Sequence, residues 1–172
     1  MPQQIESLIN PMAMKSLMYY ASRSPWGGIA EIGVYKGGSA WHLAHLGRPL
    51  FLYDTFEGMP VSGEHDTHQL GHFSDCSAEA VQKLIPEAYV IKGTFPDSIV
   101  DMPPLGFVHA DADQYETTKA ILEQMPPRMM RGGMILFDDY GVSDCKGCTQ
   151  AVHESRFPFL VIPETGKALI IV

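Results

Sequence analysis

Four carboxylates follow two apolar, strand-like segments of this chain, at the point where each segment ends. Asp111 and Asp113 come after the first segment, and Asp138 and Asp139 come directly after the second. Because clustered carboxylates repel one another, their pKa values rise unless a cation lies among them. Hard oxygen ligands of this kind favour Mg²⁺, Ca²⁺ or Mn²⁺ over softer metals. The pattern therefore predicts a divalent-metal site where two strands end.

A glycine-rich turn follows the first strand-like segment of the chain. Gly33, Gly37 and Gly38 let the backbone approach a ligand closely, and the helix that starts there presents free N–H groups. Their spacing is G-x-x-x-G-G, whereas dinucleotide-binding proteins carry G-x-G-x-x-G, so a ligand carboxylate fits better than a pyrophosphate. Asp54 ends the next strand-like segment, where an acidic residue can accept both ribose hydroxyls of a nucleoside. These features together predict a nucleoside-binding site.

Alternating strand-like and helix-like segments must position these residues. Apolar strand-like runs occur at 28–33, 49–53, 89–92, 105–109 and 134–137. Segments with the 3.6-residue periodicity of helices occur at 10–22, 38–46, 77–85, 115–125 and 144–156. This alternation predicts a parallel sheet covered by helices on both faces. Two further runs at 159–162 and 167–172, joined by a Gly-containing turn, predict a C-terminal antiparallel hairpin.

The chain is long enough for one well-buried core and short for two, so residues 1–172 are predicted to form a single domain. Residues 55–76 show no clear periodicity, and an irregular loop of about twenty residues in a compact domain is typical of a mobile lid. Histidines and a cysteine in this loop suggest zinc, but their spacing is loose and contact with a polar substrate is favoured. These residues are His65, His68, His72 and Cys76.

Charge and composition restrict the partners of the protein. A formal charge of −8 with no basic cluster disfavours nucleic acid as a partner. We expect a cytoplasmic protein without a membrane partner, because the first residues lack the pattern of a signal peptide and no apolar run is long enough to cross a bilayer. Three cysteines, an odd number, fit a reducing compartment, and Cys145 and Cys148 are predicted to be reduced thiols at a helix start.

Six segments of the chain resemble the macrocin O-methyltransferase (TylF-like) family of class I S-adenosylmethionine-dependent methyltransferases. They are E-I-G-V-Y-K-G-G-S at 31–39, Y-D-T-F-E-G-M-P at 53–60, and the segments 71–74, 92–95, 107–118 and 132–141. The resemblance covers residues 31 to about 154, and the paired acidic segments are more specific than the glycine turn. It implies an α/β, Rossmann-like fold with a seven-stranded, mostly parallel sheet, helices on both faces and a C-terminal antiparallel hairpin.

The resemblance also implies roles for individual residues. Asp111, Asp138 and Asp139 would bind Mg²⁺ or another hard divalent cation, and Asp113 would act as the catalytic base. The segment 93–95 would lie near the adenine of S-adenosylmethionine. The full set expected to bind this cofactor is Glu31, Gly33, Tyr35, Gly37, Gly38, Ser39, Asp54, Thr55, Gly93, Thr94, Phe95 and Asp111.

These roles predict transfer of a methyl group to a hydroxyl of a small, polar, sugar-like or diol acceptor. An alcohol is a poor nucleophile until it is ionised, and a bound divalent cation lowers its pKa. Two other functions stay open: a catalytically silent S-adenosylmethionine-binding domain and an NAD-linked enzyme. The sequence also leaves open the identity of the acceptor and a homo-oligomer in which a neighbouring copy completes the pocket.

Each acidic motif also has a purely structural interpretation. Asp138 and Asp139 would then form a solvated turn or cap the helix predicted from residue 144, and Asp113 would cap the helix predicted from Tyr115. Asp54 would merely end a strand beside a tight glycine turn. His109 is interpreted as a histidine whose hydrogen bonds are satisfied at a strand end.

Overall fold

A computed structural model describes residues 7–60 and 67–172 of the chain. Seven strands form one sheet: β1 Gly28–Ile32, β2 Leu50–Asp54, β3 Tyr89–Lys92, β4 Leu105–Ala110, β5 Met129–Phe137, β6 Phe159–Val161 and β7 Ala168–Ile171. The described residues form five α-helices beside it: α1 Pro11–Arg23, α2 Gly38–Ala44, α3 Ala78–Leu84, α4 Tyr115–Gln124 and α5 Lys146–Glu154.

The strands lie in the order β3-β2-β1-β4-β5-β7-β6. The first five pair in parallel, and β7 pairs antiparallel with both β5 and β6. The predicted parallel sheet and its C-terminal antiparallel hairpin are therefore confirmed. Because the chain leaves β1 for β2 on one side and pairs β1 with β4 on the other, the strand order reverses beside β1. Ligands of open α/β sheets bind at such a reversal, outside the carboxyl ends of the strands.

Helices cover both faces of the sheet, as predicted. Successive side chains of a strand point to opposite faces, so Ile29 packs in one apolar cluster and Ala30 in the other. The cluster around Ile29 includes residues of α1, α2 and α3, whereas the cluster around Ala30 includes residues of α4 and α5. Both β1 and β4 are buried along their whole length, as is typical of central parallel strands.

Side-chain caps define where two helices begin. The Asn10 side chain accepts hydrogen bonds from the backbone N–H groups of Met12 and Ala13, and the Ser77 side chain accepts one from Ala80. Such caps satisfy N–H groups that have no partner within the helix. The predicted N-cap role of Ser77 is confirmed.

The largest difference from the predicted elements lies in β5, which begins at Met129 rather than at residue 134. Gly132 and Gly133 interrupt the apolar run, so the sequence pattern hides the first part of this strand. The pairing of β4 with β5 is irregular between Leu105 and Phe107, and Gly132 has a φ of +79°, which glycine adopts readily. Helix α5 is shorter than predicted and begins at Lys146.

None of the helices in the two described stretches of the chain is long and apolar enough to cross a membrane.

Candidate active site at the carboxyl edge of the sheet

A cavity of about 270 Å³ lies at the carboxyl ends of the central parallel strands. Most residues that the sequence placed at a ligand site line this cavity. They are Gly33, Tyr35, Gly38, Ser39, Asp54, Thr55, Gly93, Thr94, Phe95, Asp111, Asp113, Asp138 and Asp139. The glycine turn, the end of β2 and the two acidic motifs therefore meet in one place.

Gly33 is required by the close approach of two chain segments. Its φ is +88°, and a Cβ atom there would lie 1.8 Å from the carbonyl oxygen of Asp111. A side chain at this position would push the end of β1 away from the end of β4. The glycine thus keeps the glycine-rich turn and the acidic motif side by side.

Asp54 fixes the shape of the glycine turn. Its Oδ2 accepts hydrogen bonds from the backbone N–H groups of Val34 and Tyr35, each at 2.8 Å, and its Oδ1 accepts one from Phe56, also at 2.8 Å. A carboxylate has about four acceptor positions, so about one remains for a ligand hydroxyl. The structural interpretation of Asp54 is therefore supported, and its role in binding a ligand stays a prediction.

Three carboxylates converge at the ends of β4 and β5. Asp111, Asp138 and Asp139 each offer an oxygen, and these oxygens lie within 4.8 Å of one another. Asp138 and Asp139 are only 8% and 6% exposed, so they do not form a solvated turn. Neither caps α5, whose N-cap residue is Cys145. The structural interpretation of this pair is wrong.

Burial dominates the electrostatics of this carboxylate cluster. Burial raises the pKa of Asp111 well above its ordinary value, and the charges of Asp139 and Asp138 raise it further. The pKa of Asp139 is raised in the same way, by burial and by the charge of Asp113. Added positive charge would therefore favour the ionised form of these carboxyls.

Asp138 differs from its neighbours because two cationic groups face it. Burial opposes its ionised form, but His109 and Lys167 outweigh this effect and lower the pKa of Asp138. The Lys167 Nζ lies 3.3 Å from Oδ2 of Asp138 and also donates to its backbone carbonyl oxygen. The His109 Nε2 lies 3.9 Å from Oδ1, and neither atom has a hydrogen-bond partner within the described residues.

Glu31 lies behind the cavity rather than on its wall. It is fully buried in β1, and its Oε1 lies 2.6 Å from Nδ1 of His109. The register between β1 and β4 places these two residues directly beside each other. The prediction that the hydrogen bonds of His109 are satisfied therefore holds for its Nδ1 but, within the described residues, not for its Nε2. Glu31 thus faces a buried histidine, and its expected contact with the cofactor stays a prediction.

Gly37 is the second residue expected at the cofactor that does not line the cavity. It precedes α2 with a φ of +82°, and a Cβ atom there would contact Leu84 and Val81 on the α3 side. Its conformation and its packing against α3 account for a glycine at this position.

Asp113 lies between the carboxylate cluster and α5. Its backbone N–H donates to Oδ2 of Asp139 at 2.8 Å, and its Oδ1 accepts a hydrogen bond from the Cys145 thiol at 3.2 Å. The N-cap residue of α4 is Gln114, so the interpretation of Asp113 as the cap is wrong. Burial raises the pKa of Asp113. This carboxyl is therefore poised to take a proton closer to neutral pH than an exposed one.

The predicted lid falls partly outside the described residues, since 61–66, including His65, are not described. In the described parts of 55–76, backbone hydrogen bonds join Met59 to Gly71 and His72. His72 and Phe73 line the cavity. Cys76 donates to the carbonyl oxygen of Phe73 and takes no part in a histidine cluster there.

Several functional neighbours were missed from the sequence. Lys167 contacts Asp138 from the turn between β6 and β7, and Gln114 and Thr117 line the cavity beside Asp113. The DQYETT segment carried a signal for Gln114 and Thr117, because they follow the acidic motif at the start of a helix. Nothing in the sequence pointed to Lys167, which lies far along the chain.

The donor set fits a hard divalent cation. Three carboxylate oxygens converge, the buried Oδ1 of Asp138 lacks a hydrogen-bond partner within the described residues, and two of the three carboxyls are held away from ionisation. Mg²⁺ and its hard relatives prefer such oxygen ligands. Asp111, Asp138 and Asp139 are the residues that would hold this ion.

Solved structures of O-methyltransferases share this fold, which is that of the class I methyltransferases. The O-methyltransferase NovP superposes with a TM-score of 0.80 at 20% identity, covering 99% of this chain and 83% of that one. A calicheamicin methyltransferase superposes with a TM-score of 0.74 at 20% identity, covering 93% and 77%. An O-methyltransferase from Bacillus cereus in complex with SAH gives 0.65 at 18% identity, covering 95% and 82%.

Within this class, residues 22–158 match the model of the macrocin O-methyltransferase (TylF) family. The chain belongs to that family, as its acidic motifs and glycine turn suggested.

Curated relatives are named as O-methyltransferases, and the name of the first includes a rhamnosyl group. The 8-demethyl-8-(2,3-dimethoxy-alpha-L-rhamnosyl)-tetracenomycin-C 4'-O-methyltransferase of Streptomyces olivaceus is 30% identical, covering 76% of this chain and 58% of that protein. The demethyldecarbamoylnovobiocin O-methyltransferase of Streptomyces niveus is 26% identical, covering 80% and 61%. The chain thus spans about three fifths of the length of these relatives.

Proposed function

We propose that this protein is an S-adenosylmethionine-dependent O-methyltransferase that acts on a hydroxyl of a sugar-like or diol-containing small molecule. The observation that carries the proposal is the position of Asp113, next to Asp139 and on the wall of the cavity formed by the glycine turn. In this proposal, a proton acceptor, a set of metal ligands and a nucleoside pocket would share one site.

S-adenosylmethionine supplies an electrophilic methyl group, and a divalent cation lowers the pKa of an alcohol that it binds. Asp111, Asp138 and Asp139 would hold the cation and, through it, fix the position of the acceptor hydroxyl. The Asp113 carboxylate would take the hydroxyl proton, which belongs to general base catalysis. Lys167 and His109 would keep Asp138 ionised and oriented.

The names of the relatives support a sugar as the acceptor. Tetracenomycin, novobiocin and mycinamicin O-methyltransferases are each 26–30% identical to this chain, and the first is named for a rhamnosyl group. A vicinal diol offers two oxygens to one cation, which would orient the reacting hydroxyl. We therefore place deoxysugar glycosides first among the acceptors.

The test is methyl transfer from labelled S-adenosylmethionine to a panel of rhamnosides, other deoxysugar glycosides and catechols, with Mg²⁺ present. We expect mass spectrometry to show that a glycoside gains one methyl group, in place of the hydrogen of a sugar hydroxyl. Tight binding of S-adenosylhomocysteine without methylation of any diol would instead support the silent binding domain. Binding of NAD in preference to S-adenosylhomocysteine would contradict the proposal.

Replacing Asp54 by Ala is expected to weaken binding of S-adenosylhomocysteine by about 1.5–3 kcal/mol, because a charge-assisted hydrogen bond to the ribose and the anchor of the glycine turn are lost together. Calorimetry measures the affinity. The turn also loses its hydrogen bonds to Val34 and Tyr35, so urea unfolding should show a lower free energy of unfolding.

The matched control for Asp54 is Glu57→Ala. Glu57 is an exposed acid three residues away whose carboxylate pairs with Lys92 at 2.9 Å, and it does not line the cavity. We expect its affinity for S-adenosylhomocysteine to equal that of the natural protein. An unchanged affinity in Asp54→Ala as well would remove Asp54 from the cofactor site.

A further inference from the structure

A second group of metal-ligating atoms lies beside the carboxylate cluster and differs from it in chemistry. The group consists of the His68 Nε2, the Asp113 Oδ1 and the Cys145 Sγ, and these atoms lie within 4.8 Å of one another. Its imidazole and thiol suit zinc-like ions, whereas the carboxylate cluster of Asp111, Asp138 and Asp139 suits hard ones.

The distances within this group match one face of a zinc coordination tetrahedron. Zinc bonds of about 2.0–2.3 Å place tetrahedral ligand atoms about 3.3–3.6 Å apart. The thiol sulfur of Cys145 lies 3.2 Å from Oδ1 of Asp113 and 3.8 Å from Nε2 of His68. The third distance, between Nε2 of His68 and Oδ1 of Asp113, is 3.7 Å. All three atoms thus surround a common point, and among the described residues no fourth His, Cys or carboxylate joins the group.

Several contacts hold His68 in this position. The Thr67 hydroxyl donates to the backbone carbonyl oxygen of Asp144, which ties the chain before His68 to the start of α5. The ring of His68 also packs edge-on against Phe73, with ring centroids 5.5 Å apart. The side chains of His68 and Asp113 are each 21% exposed, and Cys145 is 2% exposed. The site is therefore preformed and mostly buried, and the side chains of His68 and Asp113 keep some contact with the solvent.

We propose that His68, Asp113 and Cys145 form a binding site for Zn²⁺ or a similar borderline divalent ion, distinct from the carboxylate cluster. The neighbouring carboxylates attract a cation to this position. Burial and the charges of Asp139 and Asp113 raise the pKa of the Cys145 thiol, so the thiol carries a proton before an ion binds. Because a metal ion binds the thiolate, its binding releases this proton to the solvent.

Occupation of this site would engage the carboxylate oxygen of Asp113. This consequence rests on the proposed role of Asp113 as the base: an ion held there would prevent it from taking the acceptor proton. Zinc would then inhibit methyl transfer. The binding site itself does not depend on that role, and its test needs no acceptor.

The test uses Co²⁺ as the probe, because a thiolate bound to Co²⁺ gives a charge-transfer absorption in the near ultraviolet and carboxylates do not. Co²⁺ is titrated into the EDTA-treated, dialysed and reduced protein in excess Mg²⁺, which competes for the carboxylate cluster. We expect the charge-transfer band to reach its full intensity at one Co²⁺ per protein chain and to disappear when Zn²⁺ is added.

Three variants assign the ligands. Cys145→Ser should abolish the band, His68→Ala should weaken Co²⁺ binding by at least about tenfold, and Cys76→Ser, a partly exposed thiol outside the group, should leave it unchanged. Thermal unfolding checks that each variant is folded. If Cys145→Ser does not fold, the result for His68→Ala decides the test. Absence of the band in the natural protein, a band that persists in Cys145→Ser, an unchanged Co²⁺ affinity in His68→Ala, or loss of the band in Cys76→Ser would overturn the proposal.

Discussion

Replacing Asp113 by Asn is expected to lower turnover by about 10²–10⁴-fold while the affinity for S-adenosylhomocysteine changes little. The amide cannot accept the acceptor proton as a carboxylate does. The substitution is otherwise mild. Asp113 has a φ of +59°, which Asn tolerates about as well as Asp, and its backbone N–H can still donate to Asp139. Turnover measured with an acceptor from the glycoside panel tests this result.

The pH dependence of the same reaction carries independent information. Burial raises the pKa of Asp113, although the Cys145 thiol and His68 act in the opposite direction. A base must be ionised to work, so the rate should fall as the pH falls through this raised pKa. At saturating Mg²⁺, the acid limb of the profile should therefore lie above the ordinary carboxyl pKa of about 4, and Asp113→Asn should remove the contribution of Asp113 to it.

The matched control for this variant is Asp101→Asn, which makes the same chemical change at an exposed position before β4. Its turnover should equal that of the natural protein. If Asp113→Asn keeps more than about a third of the natural turnover, general base catalysis of this size does not come from Asp113.

Much of the site was predictable because the carboxyl ends of parallel strands meet at one edge of a sheet. An apolar run that ends in Asp111 and another that ends in Asp138 therefore had to bring their carboxylates together once the sheet was parallel. Strand boundaries followed from the same runs. The start of β5 did not, because Gly132 and Gly133 broke the apolar pattern while their backbone still joined the sheet.

Contacts between side chains depend on register and on loops, and these were not predictable. Glu31 faces His109 because the register of β1 and β4 places them side by side, a choice that the two apolar runs do not specify. His68 and Cys145 are 77 residues apart in the chain, and no periodic pattern relates a loop residue to a helix start. Lys167 reaches Asp138 only because β7 lies between β5 and β6.

Removing divalent cations is expected to abolish methyl transfer and to destabilise the protein. The folded state raises the pKa of Asp111 and Asp139, so above the ordinary carboxyl range the metal-free folded state binds more protons than the unfolded state. The stability of the metal-free protein therefore falls as the pH rises from the ordinary carboxyl pKa values to the raised ones. The lowered pKa of Asp138 makes stability rise with pH instead, but it concerns one group, whereas the raised values concern two.

A cation among these carboxylates removes the cost of ionising them. Mg²⁺ at about 100 times its Kd stabilises the folded state by about 2.7 kcal/mol, which for a chain of this length raises Tm by about 5–10 °C. Because ionised carboxylates bind the ion, the rise in Tm should be larger at pH 8 than at pH 5. Thermal unfolding with Mg²⁺ or with EDTA at both values measures it, and it needs no acceptor.

The Asp138→Asn variant separates loss of the metal from loss of the fold. It keeps the size of the side chain but removes one of three charges, so we expect Mg²⁺ binding to weaken by at least about tenfold and turnover to recover in part at higher Mg²⁺ concentration. Asp113→Asn should keep its Mg²⁺ affinity, since Asp113 lies outside the cluster of three. Full turnover in excess EDTA, or an equal rise in Tm for Asp138→Asn and the natural protein, would show that these carboxylates do not hold a catalytic metal.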